Sequence, residues 1–490
     1  MFASSRLHVY IFRLAYFALI AAVSVTLFSS WGAAPSKLTF AHAAGASALK
    51  TTVSAHTIKL GGNQLNYTST AGYLQVADGR FGANIFYTAY KVNDGQPNRP
   101  VTFVFNGGPG SSSIWLHMGA FGPVRSTPGK AGYQTNPDSW LGFTDLVFID
   151  PVGTGYSRPA DGTDARRFYG YHEDVRIIGN FISRYLAYNN RQQRPVFLTG
   201  ESYGGARAVG LASYLADEQH VEVAGLTLIS PALNYRLISF KDKNTAAYPL
   251  YLPSYALAAQ YHQRLIAEWQ ALPGSELYRI AENFSTTTYS RFLASGDTIT
   301  QTITDTLRLL TGLPEHTIRG LNGRIPDHVF TRLVLNNNRV GIFDARTSGA
   351  NNKADPSSAR LRAVFPQAFK TYVEDELKYR NALPYLATTA TPNWNYGPAA
   401  EGSYLNVLPT LTTLLYKHKA LKVNIVSGYY DLATPVATIN ASVKQLLANQ
   451  AFKTRVNAHY YQSGHMPYID DEVNHQFSAD SRGFYAATLN

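Results

Sequence analysis

Hydrophobic and polar residues alternate along residues 57–90, with Gly-Gly and Asp-Gly pairs between the alternating stretches, as in TIKLGGNQLNYTST and GANIFYTAYKV. Alternation of this kind is typical of half-buried strands, and Gly-Gly or Asp-Gly between two such stretches is typical of tight turns. The pattern therefore predicts antiparallel hairpins in this part of the chain.

Short apolar runs follow the hairpins, and each has the length of a buried strand. Patterns of helical period separate the later runs, at residues 173–186 and from Ala206 onward. Strands that alternate with helices indicate a mostly parallel central sheet flanked by helices. The predicted strands are residues 101–105, 146–149, 196–199, 226–230 and 423–427.

Residues 236–400 differ from the rest, because Tyr, Leu, Ala and Arg recur there at helical spacing, as in YALAAQYHQRLIAEWQAL. We predict a mainly helical insertion, or cap, that covers one end of the sheet. It divides the sheet-forming core into residues 46–235 and 401–490. Within the insertion, residues 336–358 (NNNRVGIFDARTSGANNKADPSS) are predicted to form a long mobile loop.

The first 45 residues have the pattern of an export signal. Arg6 and Arg13 precede an apolar run at residues 14–28, and small residues follow it. The run is shorter than the roughly 20 residues that a membrane-spanning helix needs. We predict a signal peptide, with an uncleaved anchor as the alternative, and an exported protein that is periplasmic or secreted. Contact with a membrane is expected only if this segment is retained.

Composition excludes several classes of site. The chain of 490 residues carries 43 Lys and Arg against 32 Asp and Glu, a net charge of +11, but no block of five or six basic residues. We therefore predict no nucleic-acid partner. The absence of cysteine excludes disulfides, thiolate metal sites and a cysteine nucleophile. No metal or cofactor is predicted.

The segment VFLTGESYGG places Ser202 in a G-x-S-x-G sequence between a predicted strand and a predicted helix. This arrangement favours a nucleophile elbow, a sharp turn that exposes the serine hydroxyl above the sheet. A serine in an ordinary tight turn is the alternative.

A serine nucleophile needs a base and an orienting acid, which are expected in the order Ser, Asp, His along the chain. Asp431 in NIVSGYYDLATP and His465 in YYQSGHMPYID each follow a predicted strand, so both would lie on loops at the sheet's edge. A helix cap for the aspartate and a structural role for the histidine are the alternatives.

The sequence NGGPG at residues 106–110 directly follows the strand VTFVF. Acyl transfer requires two backbone N–H groups directed at the developing oxyanion, one of them from such a loop. A simple tight turn and a phosphate-binding loop are the alternatives, but no G-K-[ST] follows.

Taken in order, NGGPGSSS, VFIDPVGTGYS, LTGESYGG, SGYYDLATP and SGHM resemble the serine carboxypeptidase family of α/β-hydrolases, and we expect a bacterial-type member. The resemblance implies the α/β-hydrolase fold, Ser202 as nucleophile, His465 as general base and then acid, and Asp431 as the orienting acid. It implies an oxyanion hole from the backbone N–H groups of Gly108 and Tyr203. It also implies that Asn106 and Glu201 bind the substrate's terminal carboxylate.

Two positions depart from the pattern of that family. Ala120, in GAFGPV, stands where better-known members carry an acidic residue that supports the carboxylate-binding pair. Ser111 stands where many relatives have Cys, which removes a disulfide. The first departure predicts weaker or differently arranged recognition of a peptide C-terminus, because a hydrogen bond to a charged group contributes about 1.5–3 kcal/mol.

Further residues near these motifs are assigned smaller roles. Met466 lines the pocket for the departing residue or packs in the core, and Asp150 and Gly153 shape a turn beside the site. Tyr203, Tyr429 and Tyr430 line the cleft or belong to the general tyrosine content.

The predicted function is therefore a serine-type carboxypeptidase that acts on peptides or proteins with a free C-terminus. An esterase or acyltransferase on the same fold is the first alternative, and a non-catalytic peptide-binding protein is the second. The sequence leaves the oligomeric state and the preferred side chains unknown.

Overall fold

The computed structural model describes residues 50–79, 81–241, 243–398, 400–401 and 404–490. The predicted export signal at residues 1–45 lies outside the described residues. Among the described helices, none combines the length and apolar character needed to cross a bilayer.

The fold is organised around a sheet whose nine main strands run in the order β1-β2-β3-β5-β4-β6-β7-β8-β9. The first three form the antiparallel hairpins predicted from the alternating pattern, with Gly61 and Gly62 in left-handed turn conformations between β1 and β2. The strands from β4 to β9 are mutually parallel where they pair. Their bounds are β1 Thr52–Leu60, β2 Asn63–Asp78, β3 Phe81–Val92, β4 Val101–Phe105, β5 Asp145–Ile149, β6 Val196–Glu201, β7 Val223–Ile229, β8 Lys422–Gly428 and β9 Val456–Tyr461.

Helices cover both faces of the sheet, which explains why its central strands are continuously apolar. Neighbouring residues of β4 point to opposite faces: Phe103 belongs to one apolar cluster and Val104 to another. The described helices are α1 Ile114–Leu116, α2 Tyr171–Tyr188, α3 Tyr203–Glu218, α4 Ala247–Tyr261, α5 Ala267–Gln270, α6 Gly274–Phe284, α7 Ser290–Ser295, α8 Gln301–Thr311, α9 Glu315–Gly320, α10 Asp327–Leu333, α11 Pro356–Arg362, α12 Phe365–Asp375, α13 Leu408–Lys417, α14 Val436–Leu447 and α15 Asp471–Leu489. Of these, α2, α3 and α13 pack on the first face, and α12 and α15 pack on the second.

Most of the described chain between β7 and β8 is helical, from α4 to α12. The helices α4 to α10 share an apolar cluster of their own, which includes the buried side chains of Tyr251, Leu307 and Phe330. Leu432 and Val436 of the sheet-forming part belong to the same cluster. The helical segment is thereby packed against the loop that carries Asp431.

The segment predicted to be a long loop has a different structure. Asn338–Val340 and Ser348–Ala350 pair as an antiparallel hairpin, and α11 follows. Asp355 joins the two parts, because one carboxylate oxygen caps α11 and the other accepts a hydrogen bond from the Ile342 amide. A composition rich in Asn hid this hairpin, which is also held by main-chain contacts with Leu432 and His465, distant in the chain.

Candidate active site

Ser202 lies between β6 and α3 with backbone angles φ 60° and ψ −124°. A positive φ is strained for a residue with a side chain, and such strain is concentrated at functional turns. Small neighbours make the turn possible: a Cβ at Gly200 would come 2.0 Å from the Gly204 carbonyl oxygen, and one at Gly204 would come 2.9 Å from the Phe105 oxygen. The geometry is that of a nucleophile elbow, with the serine half-buried.

The turn after β7 connects the elbow to the loop of His465. The Ser202 amide donates to the Ile229 oxygen at 2.9 Å, and the Ser202 oxygen accepts from the Ala232 amide at 3.1 Å. The Ser230 hydroxyl in turn donates to the His465 carbonyl oxygen at 2.8 Å. Within the described part of the chain, the Ser202 hydroxyl itself makes no hydrogen bond to the His465 ring.

His465 and Asp431 form a buried pair. Nδ1 of His465 donates to Oδ2 of Asp431 at 2.7 Å, and His465 is only 1% exposed. The other carboxylate oxygen of Asp431 accepts from the amides of Ala433 and Thr434 at 2.7 and 3.0 Å. Burial lowers the pKa of His465, but the Asp431 charge and hydrogen bond, together with the charge of Glu201, raise it above 6.5 overall.

The hairpin of residues 338–350 contacts the loops that carry Asp431 and His465. The Phe343 carbonyl oxygen accepts from the His465 amide at 2.6 Å, and the Ile342 oxygen accepts from the Leu432 amide at 2.9 Å. The Phe343 ring lies 5.2 Å from the His465 ring. Sequence reasoning assigned this segment no role, because these contacts use the main chain and leave no pattern in the residue types.

The Asn106–Gly110 loop lies against the elbow. A Cβ at Gly107 would come 2.6 Å from both the Glu201 oxygen and the Tyr203 nitrogen, so only glycine fits there. Gly108, the next residue, has φ +107° and an exposed main chain. Tyr203 is the first residue of α3, where a backbone N–H has no acceptor within the helix. The two predicted oxyanion donors thus come from adjoining stretches of main chain.

Asn106 and Glu201 form a second buried pair beside the elbow. The Asn106 amide donates to Oε1 of Glu201 at 2.9 Å, and the Tyr468 hydroxyl donates to Oε2. Burial raises the pKa of Glu201, against the opposing effects of the His465 charge and of these two hydrogen bonds. A raised pKa favours the protonated carboxyl, which is able to donate a hydrogen bond.

A buried ion pair positions the main chain of Asn106. Arg207 of α3 donates to the Asn106 carbonyl oxygen at 2.6 Å and to Asp174 of α2 at 2.7 Å. Tyr203 donates its hydroxyl to the same carboxylate at 2.9 Å. The Arg207 side chain is fully excluded from solvent, and the Asp174 carboxylate offsets the cost of burying its charge. The pair was not predicted, because nothing in the sequence relates two charges on separate helices.

Ala120 lies in the π-helical turn His117–Phe121 and is 1% exposed. No acidic side chain enters the site from this position. Ser111 accepts a hydrogen bond of 2.8 Å from the Trp115 indole, which gives it a local structural role. Met466 is half-buried and lines a small pocket of about 20 Å³ together with Phe343 and Arg360.

Asp150 supports the loop that follows the N-G-G sequence. Its Oδ1 accepts from the amide and the hydroxyl of Ser113, at 2.9 and 2.8 Å, and from the Tyr385 hydroxyl at 3.2 Å. Burial raises the pKa of Asp150 from 3.8 to about 6. Gly153, three residues on, adopts φ +82° in the same turn. Tyr429 and Tyr430, which precede Asp431, are half-buried.

Three or more His, Asp or Glu side chains placed to hold a metal ion do not occur in the part of the chain that the structure describes.

Comparison with known proteins identifies the family. The family model described as serine carboxypeptidase matches residues 61–478, most of the chain. The chain belongs to the serine carboxypeptidase family. Pheromone-processing carboxypeptidase KEX1 of Yarrowia lipolytica is 30% identical over 177 residues, which cover 35% of this chain and 28% of that protein. Serine carboxypeptidase-like 44 of Arabidopsis thaliana is 32% identical over 159 residues, 31% of this chain and 32% of that protein.

The chain thus matches less than half of the length of these curated relatives. They are eukaryotic and give no support to the bacterial-type assignment. The solved structure of Kex1(delta)p, a prohormone-processing carboxypeptidase from Saccharomyces cerevisiae, has a TM-score of 0.56 at 17% identity and covers 86% of this chain and 91% of its own. This likeness shows that this serine carboxypeptidase family member has the α/β-hydrolase fold, as the motifs predicted.

Proposed function

We propose that this protein is a serine carboxypeptidase that removes the C-terminal residue of peptides through an acyl-enzyme on Ser202. The observation that carries the proposal is the buried Asn106–Glu201 hydrogen bond, directly beside the elbow. An amide donor next to a carboxyl of raised pKa forms a binding site for a carboxylate, and this pair would bind the terminal carboxylate of a peptide.

In the proposed reaction, the Ser202 hydroxyl attacks the carbonyl carbon of the last peptide bond while Nε2 of His465 accepts its proton. Asp431 holds Nδ1, so it selects the tautomer whose Nε2 is a base and stabilises the imidazolium that forms. The backbone N–H groups of Gly108 and Tyr203 donate to the developing oxyanion. One such donor contributes about 2.7–4 kcal/mol to transition-state stabilisation.

The tetrahedral intermediate then collapses. The C–N bond breaks, His465 returns the proton to the departing amine, and the rest of the peptide remains esterified to Ser202. Water adds to the ester with His465 as base again, and the shortened peptide leaves with a new C-terminal carboxylate. The Ser202 hydroxyl must approach Nε2 for the first step, which is consistent with hydrogen bonds that tighten only when substrate is bound.

An esterase or acyltransferase is the second candidate, and Ala120 is the observation that favours it. Without an acidic residue at this position, recognition of a free carboxylate depends on the remaining groups around Glu201. In this alternative the acyl-enzyme passes to an alcohol, and the same Ser202, His465 and Asp431 act in the same roles.

Substrates with and without a free carboxylate separate the two candidates. The assay compares blocked dipeptides with their C-terminal amides, and with simple esters, between acid and neutral pH. A carboxypeptidase prefers the free acid strongly at acid pH and loses that preference as Glu201 ionises. Equal turnover of the amides or of the esters at acid pH would support the esterase, and no turnover of any of them would support a non-catalytic binding protein.

We propose an exported protein, periplasmic or secreted, whose partners are peptides or proteins with a free C-terminus. Nucleic acid is not expected, and a membrane contact is expected only where the N-terminal segment is retained.

A further inference from the structure

Tyr468, in the loop that carries His465, contacts the carboxyl of Glu201, in a site where position 120 supplies no acidic side chain. Its hydroxyl donates to Oε2 of Glu201, whereas the Asn106 amide donates to the other carboxyl oxygen, Oε1. The Tyr468 side chain is fully buried, in the same apolar cluster as Ala120. The carboxylate-binding pair therefore has a third member, which comes from the loop of the catalytic histidine.

The position of the Tyr468 ring depends on the turn that carries Ala120. A Cβ at Gly119 would come 2.8 Å from the Tyr468 ring, so glycine at this position makes room for it. Arg125 joins the two segments, since it donates to the Gly119 oxygen at 2.9 Å and to the Tyr468 oxygen at 2.5 Å. Its remaining donor contacts Asp471 at 2.6 Å. The Tyr468 ring thus lies against Gly119, and the Arg125 side chain joins the main chains of both residues.

We propose that Tyr468 is a positioning residue for recognition of the substrate's terminal carboxylate. Its hydroxyl replaces the acidic side chain that Ala120 lacks, fixes the Glu201 carboxyl beside Asn106, and helps to set the pH at which Glu201 loses its proton. This inference rests on the proposed carboxypeptidase function.

A phenol differs from a carboxylic acid in one property that matters here. An acid stops donating a hydrogen bond when it ionises, whereas a phenol keeps its proton throughout the neutral range. Burial and then the Glu201 charge raise the pKa of Tyr468 well above 10, so its donation to Glu201 does not change with pH. The pH dependence of this hydrogen bond therefore comes from Glu201 and not from Tyr468.

Other charged groups also act on the Glu201 carboxyl, and removal of the Tyr468 hydroxyl leaves all of them in place. The groups that face its carboxyl are His465, which favours ionisation, and Asp431, which opposes it. Arg207 with Asp174 holds the Asn106 main chain, and Arg125 holds that of Tyr468. Because none of these changes, a difference in pH profile after loss of the Tyr468 hydroxyl reports on that hydroxyl.

The test is Tyr468→Phe, which keeps the buried ring and removes only the hydroxyl. The kcat/KM for a blocked dipeptide with a free C-terminus should fall about twofold to tenfold at acid pH, mainly through KM, as expected for a lost hydrogen bond to the neutral carboxyl of Glu201. The fall-off of activity with rising pH should move to higher pH, because the carboxylate form of Glu201 has lost a donor. With an ester that has no free carboxylate, kcat/KM at its plateau should not change.

Two comparisons separate positioning from general damage. Tyr485→Phe removes another buried phenol, which lies 2.7 Å from the Thr102 hydroxyl, and it should change neither KM nor the pH profile. In a Glu201→Ala background, Tyr468→Phe should cause little further loss, since no carboxyl remains for the hydroxyl to position.

An unchanged pH profile and KM in Tyr468→Phe would overturn the inference, and so would an equal loss with ester and peptide. These outcomes differ from failure of the proposed function, which the wild type alone would reveal. A wild type with no preference for the free acid over the amide refutes carboxypeptidase recognition, whatever Tyr468 does.

Discussion

Nδ1 of His465 lies 2.7 Å from Oδ2 of Asp431, and both side chains are almost completely excluded from solvent. In such a pair the aspartate fixes the histidine tautomer and stabilises the imidazolium that forms. The same contact raises the pKa of His465 above 6.5, which makes the ring a stronger base.

Asp431→Asn should reduce kcat by about 10³- to 10⁴-fold while KM for an ester changes little, because the wrong histidine tautomer is favoured. Single-turnover acylation by an activated ester measures this directly. Asp138→Asn is a matched control, since Asp138 also lies 2.7 Å from a histidine, His475, on the exposed surface. Loss of less than tenfold in Asp431→Asn would show that the pair is structural.

Glu201 also acts on His465 through its charge, which raises the pKa of the histidine. Activity toward an ester requires neutral His465, so it should increase as pH rises through a pKa above 6.5. Glu201→Gln removes the negative charge and should move this increase to lower pH. The same variant should keep its preference for free C-termini at neutral pH, where the wild type loses it, because the Gln amide donates an N–H at every pH and cannot ionise.

The checks for Glu201→Gln are pH profiles of kcat/KM with an ester and with a blocked dipeptide. For the wild type we expect a rise with the ester and a bell-shaped curve with the peptide, whose two limbs belong to the coupled Glu201–His465 pair. Glu376→Gln, at an acid that contacts Tyr133 away from the site, should match the wild type. An ester profile that does not move in Glu201→Gln would contradict the coupling.

Gly107→Ala should damage the oxyanion hole, because the added Cβ would come 2.6 Å from main-chain atoms of Glu201 and Tyr203. The loop must move away, and we expect kcat to fall about 10²- to 10³-fold for ester and peptide alike. Gly320→Ala is the control, since a Cβ there has no neighbour within 4 Å. Normal kcat in Gly107→Ala would indicate that the N-G-G loop is not an oxyanion donor.

Asp150 should make the protein less stable as pH rises. Its pKa is about 6 in the folded chain and 3.8 ordinarily, so the folded state holds the proton that the unfolded state releases. The stability from this group is fully present below pH 3.8 and is lost as pH rises through about 6. A shift of this size corresponds to roughly 3 kcal/mol.

Urea unfolding of the wild type and of Asp150→Asn at acid and neutral pH tests this expectation. The free energy of unfolding of the variant, relative to that of the wild type, should increase by up to roughly 3 kcal/mol as pH rises from about 4 to 7. A difference that is the same at both pH values would contradict the raised pKa.

The parts of the site that could be predicted from the sequence are those that need particular residue types at fixed spacing. The elbow of Ser202 needs Gly200 and Gly204, because both positions are too close to main-chain atoms for any Cβ. Parallel strands are apolar on both faces, so β4, β6 and β8 were visible as continuous runs. Asp431 and His465, which pair in the structure, could be chosen as candidates because loops at strand ends often carry catalytic groups.

The supporting contacts could not be predicted, because they join residues far apart in the chain without a characteristic pattern. Phe343 acts through its carbonyl oxygen, which any residue possesses. Tyr468 reaches Glu201 only because Gly119 leaves space for its ring. Ala120 was recognised as a departure, but the residue that compensates for it lies in another motif.

The central claim is that Ser202 forms the acyl-enzyme, and active-site labelling tests it most directly. The protein is treated with a fluorophosphonate, and the mass gain is located by peptide mapping in the wild type and in Ser202→Ala. We predict one label, on Ser202, with parallel loss of activity, and no label in the variant. Labelling that persists in Ser202→Ala, or peptide hydrolysis that survives the substitution, would contradict the account.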